Sequence, residues 1–174
     1  MSAGGGIALD FTLAYPEMVS ALVVAEAAIG GFAISETAMQ GWAAFGAALE
    51  HGDRPGAVEL LLRTWVDGPV RAPDAVTPAV RVRMREMMTH WIAQPRVAPQ
   101  PLEPPAIGRL REIAVPTLVI VADGDVADIL VQAEPLHTGI KGARRATIAG
   151  AAHVPNMERP AVFNRLVLDF LDAQ

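Results

Sequence analysis

Cysteine is absent from the 174-residue chain. That excludes disulfides and thiolate metal sites and is compatible with a cytoplasmic setting. Positive charge is missing from the N-terminal region, with neither Lys nor Arg before Arg54. Without a basic stretch ahead of an apolar one, the N-terminus does not read as a signal peptide. Long hydrophobic runs are missing too. Apolar residues make up 52% of the chain and its mean hydropathy is +0.31. Even so, no run approaches the roughly 18 apolar residues of a membrane span, and Asp10, Glu17 and Glu26 interrupt the most apolar region. A net charge of −5 argues against nucleic acid or an anionic membrane as partner. The cluster Arg81, Arg83 and Arg85 is the local exception, and it reads as a solvated helix face. His51, His90, His137 and His153 show no carboxylate pattern around them, so no metal and no cofactor is expected.

What is present alternates between helix and strand signals. Residues 4–15 space their apolar positions as a helix that Pro16 stops, and Val19–Ala25 reads as a short buried parallel strand. Three amphipathic segments follow, at 36–50, 56–66 and 78–93, with Ser35, Asp53 and Thr77 as expected N-caps. The tract 93–105 holds Pro95, Pro99, Pro101, Pro104 and Pro105, which suits a stiff linker. A short helix at 106–112, a strand at 116–122, a helix at 128–137, a strand at 145–149 and a helix at 160–172 complete the pattern. The last helix carries one apolar stripe of Val162, Phe163, Leu166, Val167, Phe170 and Leu171. The chain is therefore of the α/β class, with a helical excursion in the middle.

Parallel sheets place their chemistry beyond the carboxyl ends of their strands. That rule selects Asp125, after the strand 116–122, and His153, after the strand 145–149. At the start of the chain, Ser2-Ala3-Gly4-Gly5-Gly6 runs into a helix. A serine on a tight turn followed by glycines is how a G-x-S-x-G nucleophile elbow ends. Ser2, Asp125 and His153 thus stand in the order Ser, Asp, His. A serine hydroxyl becomes nucleophilic when an imidazole takes its proton and a carboxylate holds that imidazole in the right tautomer. Asp123, two residues earlier in D-G-D, is the competing acid.

The stretches S-A-G-G-G-I-A-L-D-F-T-L-A-Y-P-E-M-V, I-A-V-P-T-L-V-I-V-A-D-G-D and G-A-A-H-V-P-N-M-E-R-P, with F-N-R-L-V-L-D-F-L, carry a family resemblance. The chain resembles the later part of an α/β-hydrolase of the lactonase, esterase and perhydrolase-like group. The resemblance implies a partial α/β-hydrolase fold, with the last three parallel strands and their flanking helices. Residues 1–30 and 105–174 would be core, and 31–104 a helical cap over the pocket. It further implies Ser2 as nucleophile, Asp125 (favoured over Asp123) as acid, His153 as base and the Ala3 amide as one oxyanion-hole donor. Glu158 and Arg159 would anchor the histidine loop. The cap residues Trp42, Phe45, Leu61, Leu62, Trp65, Met84, Met87, Met88 and Trp91 would mostly pack on one another, a few of them lining the pocket. The implied substrate is a small ester or lactone cleaved through an acyl-enzyme, as an enol-lactonase or carboxylesterase does.

A whole α/β-hydrolase also has about five strands ahead of the nucleophile and a loop giving the second oxyanion donor. Neither is found in these residues, so the expectation is a truncated hydrolase. Its 19–25 strand would have an open edge, and the chain would self-associate or need a complementary N-terminal chain. The competing expectation is a catalytically silent remnant acting as an oligomerising or interaction module.

Overall fold

The computed structural model describes residues 1–95, 100 and 102–174. The elements run α1 (Ala3–Ala14), β1 (Leu22–Ala25), α2 (Glu36–Glu50), α3 (Arg54–Leu61), α4 (Pro78–Ala93), β2 (Thr117–Ala122), α5 (Ala127–Gly139), β3 (Arg144–Ile148), α6 (Pro155–Glu158) and α7 (Pro160–Leu171). A π-helical turn, Leu62–Asp67, continues α3.

β2 lies between β1 and β3, and both pairings are parallel, with Leu22 opposite Thr117 and Leu118 opposite Arg144. All six residues of β2 are buried, as expected of a T-L-V-I-V-A run covered on both faces. Alternation along the strand assigns the layers. Val119 and Val121 face a core made with Leu9 and Leu13 of α1 and Ala133 and Leu136 of α5. Leu118 and Ile120 face the other way, onto Ile148 and Phe170 of α7. Among the described residues, β1 has no strand on its outer side. Ile7 and Phe11 of α1 and Tyr15, which follows it, recur at four-residue spacing and are all exposed.

Between β1 and β2 the chain is helical. Ser35 Oγ accepts from the Ala38 N–H at 3.1 Å, and Asp53 Oδ1 accepts from Gly56 N–H at 2.9 Å, so both residues cap their helices. Thr77 does not, as its side chain makes no capping bond. Pro78 at the first helical position, whose φ is already fixed, starts α4 without that help. Two small apolar clusters hold these helices together. One centres on Val58, Leu62, Val66 and Met84, the other on Phe45, Ala57 and Leu61. Arg81 departs from the expected solvated face. It reaches inward to the fully buried Asp67, donating from Nε at 3.0 Å, and also pairs with Glu59. A buried carboxylate needs such a partner, and none could be read from local sequence.

Other expectations shift in detail. The strand starts at Leu22, because a 3₁₀ turn occupies Pro16–Met18. Residues 106–112 form two 3₁₀ turns instead of one helix. The α7 stripe is narrower than its pattern, since Val162 and Leu171 are 43% and 46% exposed while Phe170 is buried. Of the proline tract, Pro99 and Pro101 lie outside the described residues. Among the described residues no helix is long and apolar enough to cross a membrane.

Candidate active site

β1 and β2 end side by side, and the polar groups of interest gather there. The two residues after Ala122 turn the chain back, so that Asp125 is 2% exposed at the carboxyl edge of the sheet. Its Oδ1 accepts from the Val126 N–H at 2.7 Å, and Oδ2 is 2.7 Å from His153 Nδ1. Asp123 is occupied elsewhere, accepting from the Gly150 N–H at 2.8 Å. The geometry therefore makes Asp125 the partner of His153. With Nδ1 committed to the carboxylate, Nε2 is left to accept or deliver a proton.

The loop that carries His153 is tied down from three sides. The His153 N–H donates to the carbonyl of Trp65, at 3.2 Å. Trp65 also lays its ring against the imidazole, with centroids 4.4 Å apart. The π-helical turn brings it there, a distortion frequent at functional sites. On the opposite side of the loop, the Ala152 N–H donates to Glu158 Oε1 at 2.8 Å. Arg71 completes the clamp. Its Nη1 and Nη2 donate to Glu158 at 2.7 and 3.1 Å, and further bonds go to the carbonyls of Val66, Asp67 and Gly150. Arg159 adds a second bond to the Gly150 carbonyl.

Ser2 stands at the same edge. Its N–H donates to the carbonyl of Ala25, the last residue of β1, and its own carbonyl accepts from Gly5, Gly6 and Ala28. These bonds hold it at φ 51° and ψ −131°, a left-handed conformation that costs a non-glycine residue about 1–3 kcal/mol. The glycines that follow are needed for close approach. A Cβ on Gly6 would come within 2.5 Å of the Ala28 carbonyl oxygen, and one on Gly5 within 2.7 Å of Ala27 Cβ. The Ala3 amide, at the first position of α1, is among the first-turn N–H groups that no helical carbonyl can satisfy. Among the described residues, no hydrogen bond joins the Ser2 hydroxyl to the His153 ring.

One residue of the group escaped the sequence reading. Glu26 follows β1 directly, is 1% exposed, and has a positive φ of 47°. Its Oε1 accepts from the Ala122 N–H at 2.6 Å, while Oε2 is buried without a hydrogen-bond partner. Burial, followed by the neighbouring Asp125 carboxyl, pushes its own carboxyl up to about 10, against the pull of the Ala122 amide. The signal was available, because an acid closing the run L-V-V-A obeys the same strand-end rule that selected Asp125. Glu26, Asp125 and His153 each bring a potential ligand atom to a cluster no more than 4.8 Å across. Metal ligands in a tetrahedral site with bonds of about 2.0–2.1 Å lie roughly 3.3 Å apart. The 2.7 Å contact between Asp125 and His153 is instead the length of a hydrogen bond.

Three parallel strands with helices on both faces, and an acid–histidine pair beyond their carboxyl ends, are the C-terminal part of an α/β-hydrolase fold. The fold of this chain is thus a partial α/β-hydrolase fold. No family model matches the sequence. Among solved structures the chain is similar to a hydrolase from Pseudomonas aeruginosa PA01, with 26% identity, a TM-score of 0.70, and coverage of 98% of this chain and 62% of that one. It is similar to the enol-lactonase from Burkholderia xenovorans LB400, at 20% identity and TM-score 0.72 over 99% of this chain and 64% of the other. A thermophilic esterase from Thermogutta terrifontis gives 18% identity and TM-score 0.74 over 99% and 63%. The chain spans less than two thirds of the length of these structures.

Proposed function

We propose that this chain carries the nucleophile, base and acid of a serine hydrolase that cleaves a small ester or lactone. The observation that supports this most is the 2.7 Å pair of Asp125 and His153, at the same sheet edge as a serine held in a strained left-handed turn. Ser2 Oγ attacks the carbonyl carbon as His153 Nε2 takes its proton, and the charged oxygen that forms is met by the Ala3 N–H. Collapse breaks the ester bond. The leaving alcohol receives the proton from His153, and the acyl group stays on Ser2. Water, deprotonated by the same imidazole, then releases the acid and restores Ser2. Asp125 fixes the tautomer that leaves Nε2 free and stabilises the imidazolium. No step calls for a cofactor. Catalytic contacts between nucleophile and base are often open without substrate, so the missing Ser2–His153 bond does not weigh against these roles.

Within this reading the substrate is of the enol-lactone or carboxylic ester type, as the names of two similar structures suggest. The open side of β1 and the exposed Ile7, Phe11 and Tyr15 are covered by a complementary chain segment or by a second copy. The same two features favour the alternative reading, an interaction module without activity. Hydrolysis of p-nitrophenyl acetate by the chain and by Ser2→Ala separates the two. Serine-dependent burst kinetics supports the enzyme, and equal rates for both proteins refute it. Light scattering after size exclusion tests the covered edge, which a compact, stable monomer at low concentration would contradict.

A further inference from the structure

Glu26 has no part in the mechanism above, yet it is built into the same cluster. Its backbone is held at a positive φ, its side chain is 1% exposed, and one oxygen is fixed by the Ala122 N–H. The other oxygen, Oε2, is buried with no donor directed at it. An ionised carboxylate accepts only, so it would leave that oxygen unpaired beside the Asp125 carboxylate, with two like charges sharing a buried space. A protonated carboxyl carries its own donor, and Asp125 is the acceptor next to it. Asp125 has room for that bond, because Val126 and His153 occupy one position on each of its oxygens.

We infer that Glu26 and Asp125 share one proton, so that Glu26 is a positioning residue that holds the Asp125 carboxylate for His153. The hydrogen-bonded chain then runs Glu26, Asp125, His153, with a single negative charge across the two carboxyl groups. No bond other than the O–H bond is made or broken when the shared proton leaves, and it leaves to solvent base. The inference rests on the hydrolase reading only in giving the pair a catalytic purpose. The titratable groups near Glu26 are Asp125 and His153, which share its cluster, and the amine of Met1, whose positive charge favours the ionised carboxyl and so opposes burial.

The test is a titration that needs no turnover. With 13C-labelled glutamate in the whole chain, the Glu26 carboxyl carbon is expected to hold the shift of a protonated acid from pH 5 to 8 and to move only at alkaline pH. Over that alkaline step the His153 ring resonances, followed by 15N NMR, move as well, because the charge next to Asp125 changes. In Glu26→Gln the amide keeps both the acceptor for Ala122 and a donor toward Asp125. In that variant the movement of the His153 resonances over the alkaline step disappears. A Glu26 carboxyl already ionised at pH 7, or an alkaline movement of the His153 resonances that persists in Glu26→Gln, overturns the inference. If Ser2 proves inert toward esters while this titration appears as described, the function falls and the shared proton stands. Ser2-dependent hydrolysis with an ionised Glu26 does the opposite, keeping the function and removing the shared proton.

Discussion

Replacing Arg71 with alanine tests how the histidine loop is held. Arg71 is 15% exposed and Glu158 4% exposed at the side chain, and two parallel N–H···O bonds join them. After the substitution Glu158 keeps one donor, the Ala152 N–H. The carbonyls of Val66 and Asp67 lose the guanidinium, whereas that of Gly150 retains Arg159. Removing one partner of a buried pair costs about 3–5 kcal/mol, because the remaining charge is stranded. Arg71 keeps some contact with water, so the lower end applies, about 3 kcal/mol. Urea unfolding followed by circular dichroism measures it. In a double-mutant cycle, Arg71→Ala combined with Glu158→Gln should be less destabilised than the sum of the singles by at least about 1 kcal/mol, since each single mutant strands the other's partner. A loss below about 1 kcal/mol for Arg71→Ala, or strict additivity, would refute the claim that this pair clamps the loop.

Gly68 sits at φ +77°, and a Cβ there would come within 2.5 Å of the Gly124 carbonyl oxygen. Gly68→Ala should therefore lose at least about 2 kcal/mol in the same urea assay, combining left-handed strain with displacement of the turn that precedes Asp125. Ser35→Ala removes a capping acceptor and should cost about 0.5–2 kcal/mol, whereas Thr77→Ala, which has no such bond to lose, should stay within about 0.5 kcal/mol. Glu26 sets a pH dependence. Its carboxyl is raised from 4.5 to about 10 on folding, so between these values the folded chain holds a proton that the unfolded chain has released. Its contribution to stability therefore falls as pH rises through that window, by up to about 1.4 kcal/mol per pH unit. Glu26→Gln should flatten that fall in melts recorded from pH 5 to 9, and an unchanged slope would contradict it.

The parts of this molecule with short-range causes were readable from residues. P-T-L-V-I-V-A reads as a strand, Ser35 and Asp53 stand ahead of amphipathic segments as caps do, and the strand-end rule singles out Asp125 and His153, which the structure brings to 2.7 Å. What stayed hidden depends on partners far along the chain. Nothing near Arg71 announces Glu158, and nothing near Arg81 announces that Asp67 lies beneath it. Glu26 looked like a polar interruption because the groups that give it meaning, Ala122 and Asp125, arrive only when β2 pairs with β1. Ser2 and Asp125 lie on loops that the sheet brings together, so their order was legible while the geometry between them was not.

The π-helical turn at Leu62–Asp67 makes chain length itself a variable of the site. Such a turn winds one residue more into a helix than α geometry uses, and each residue of an α-helix advances about 100° around its axis. Deleting a single residue between Leu61 and Trp65 would let the segment relax to α winding and keep the downstream register. Trp65, inside the turn, would then be carried around the helix axis relative to the imidazole it now covers. A one-codon deletion in this turn is thus a rotation of the wall over the imidazole, a change no point substitution at Trp65 can reproduce.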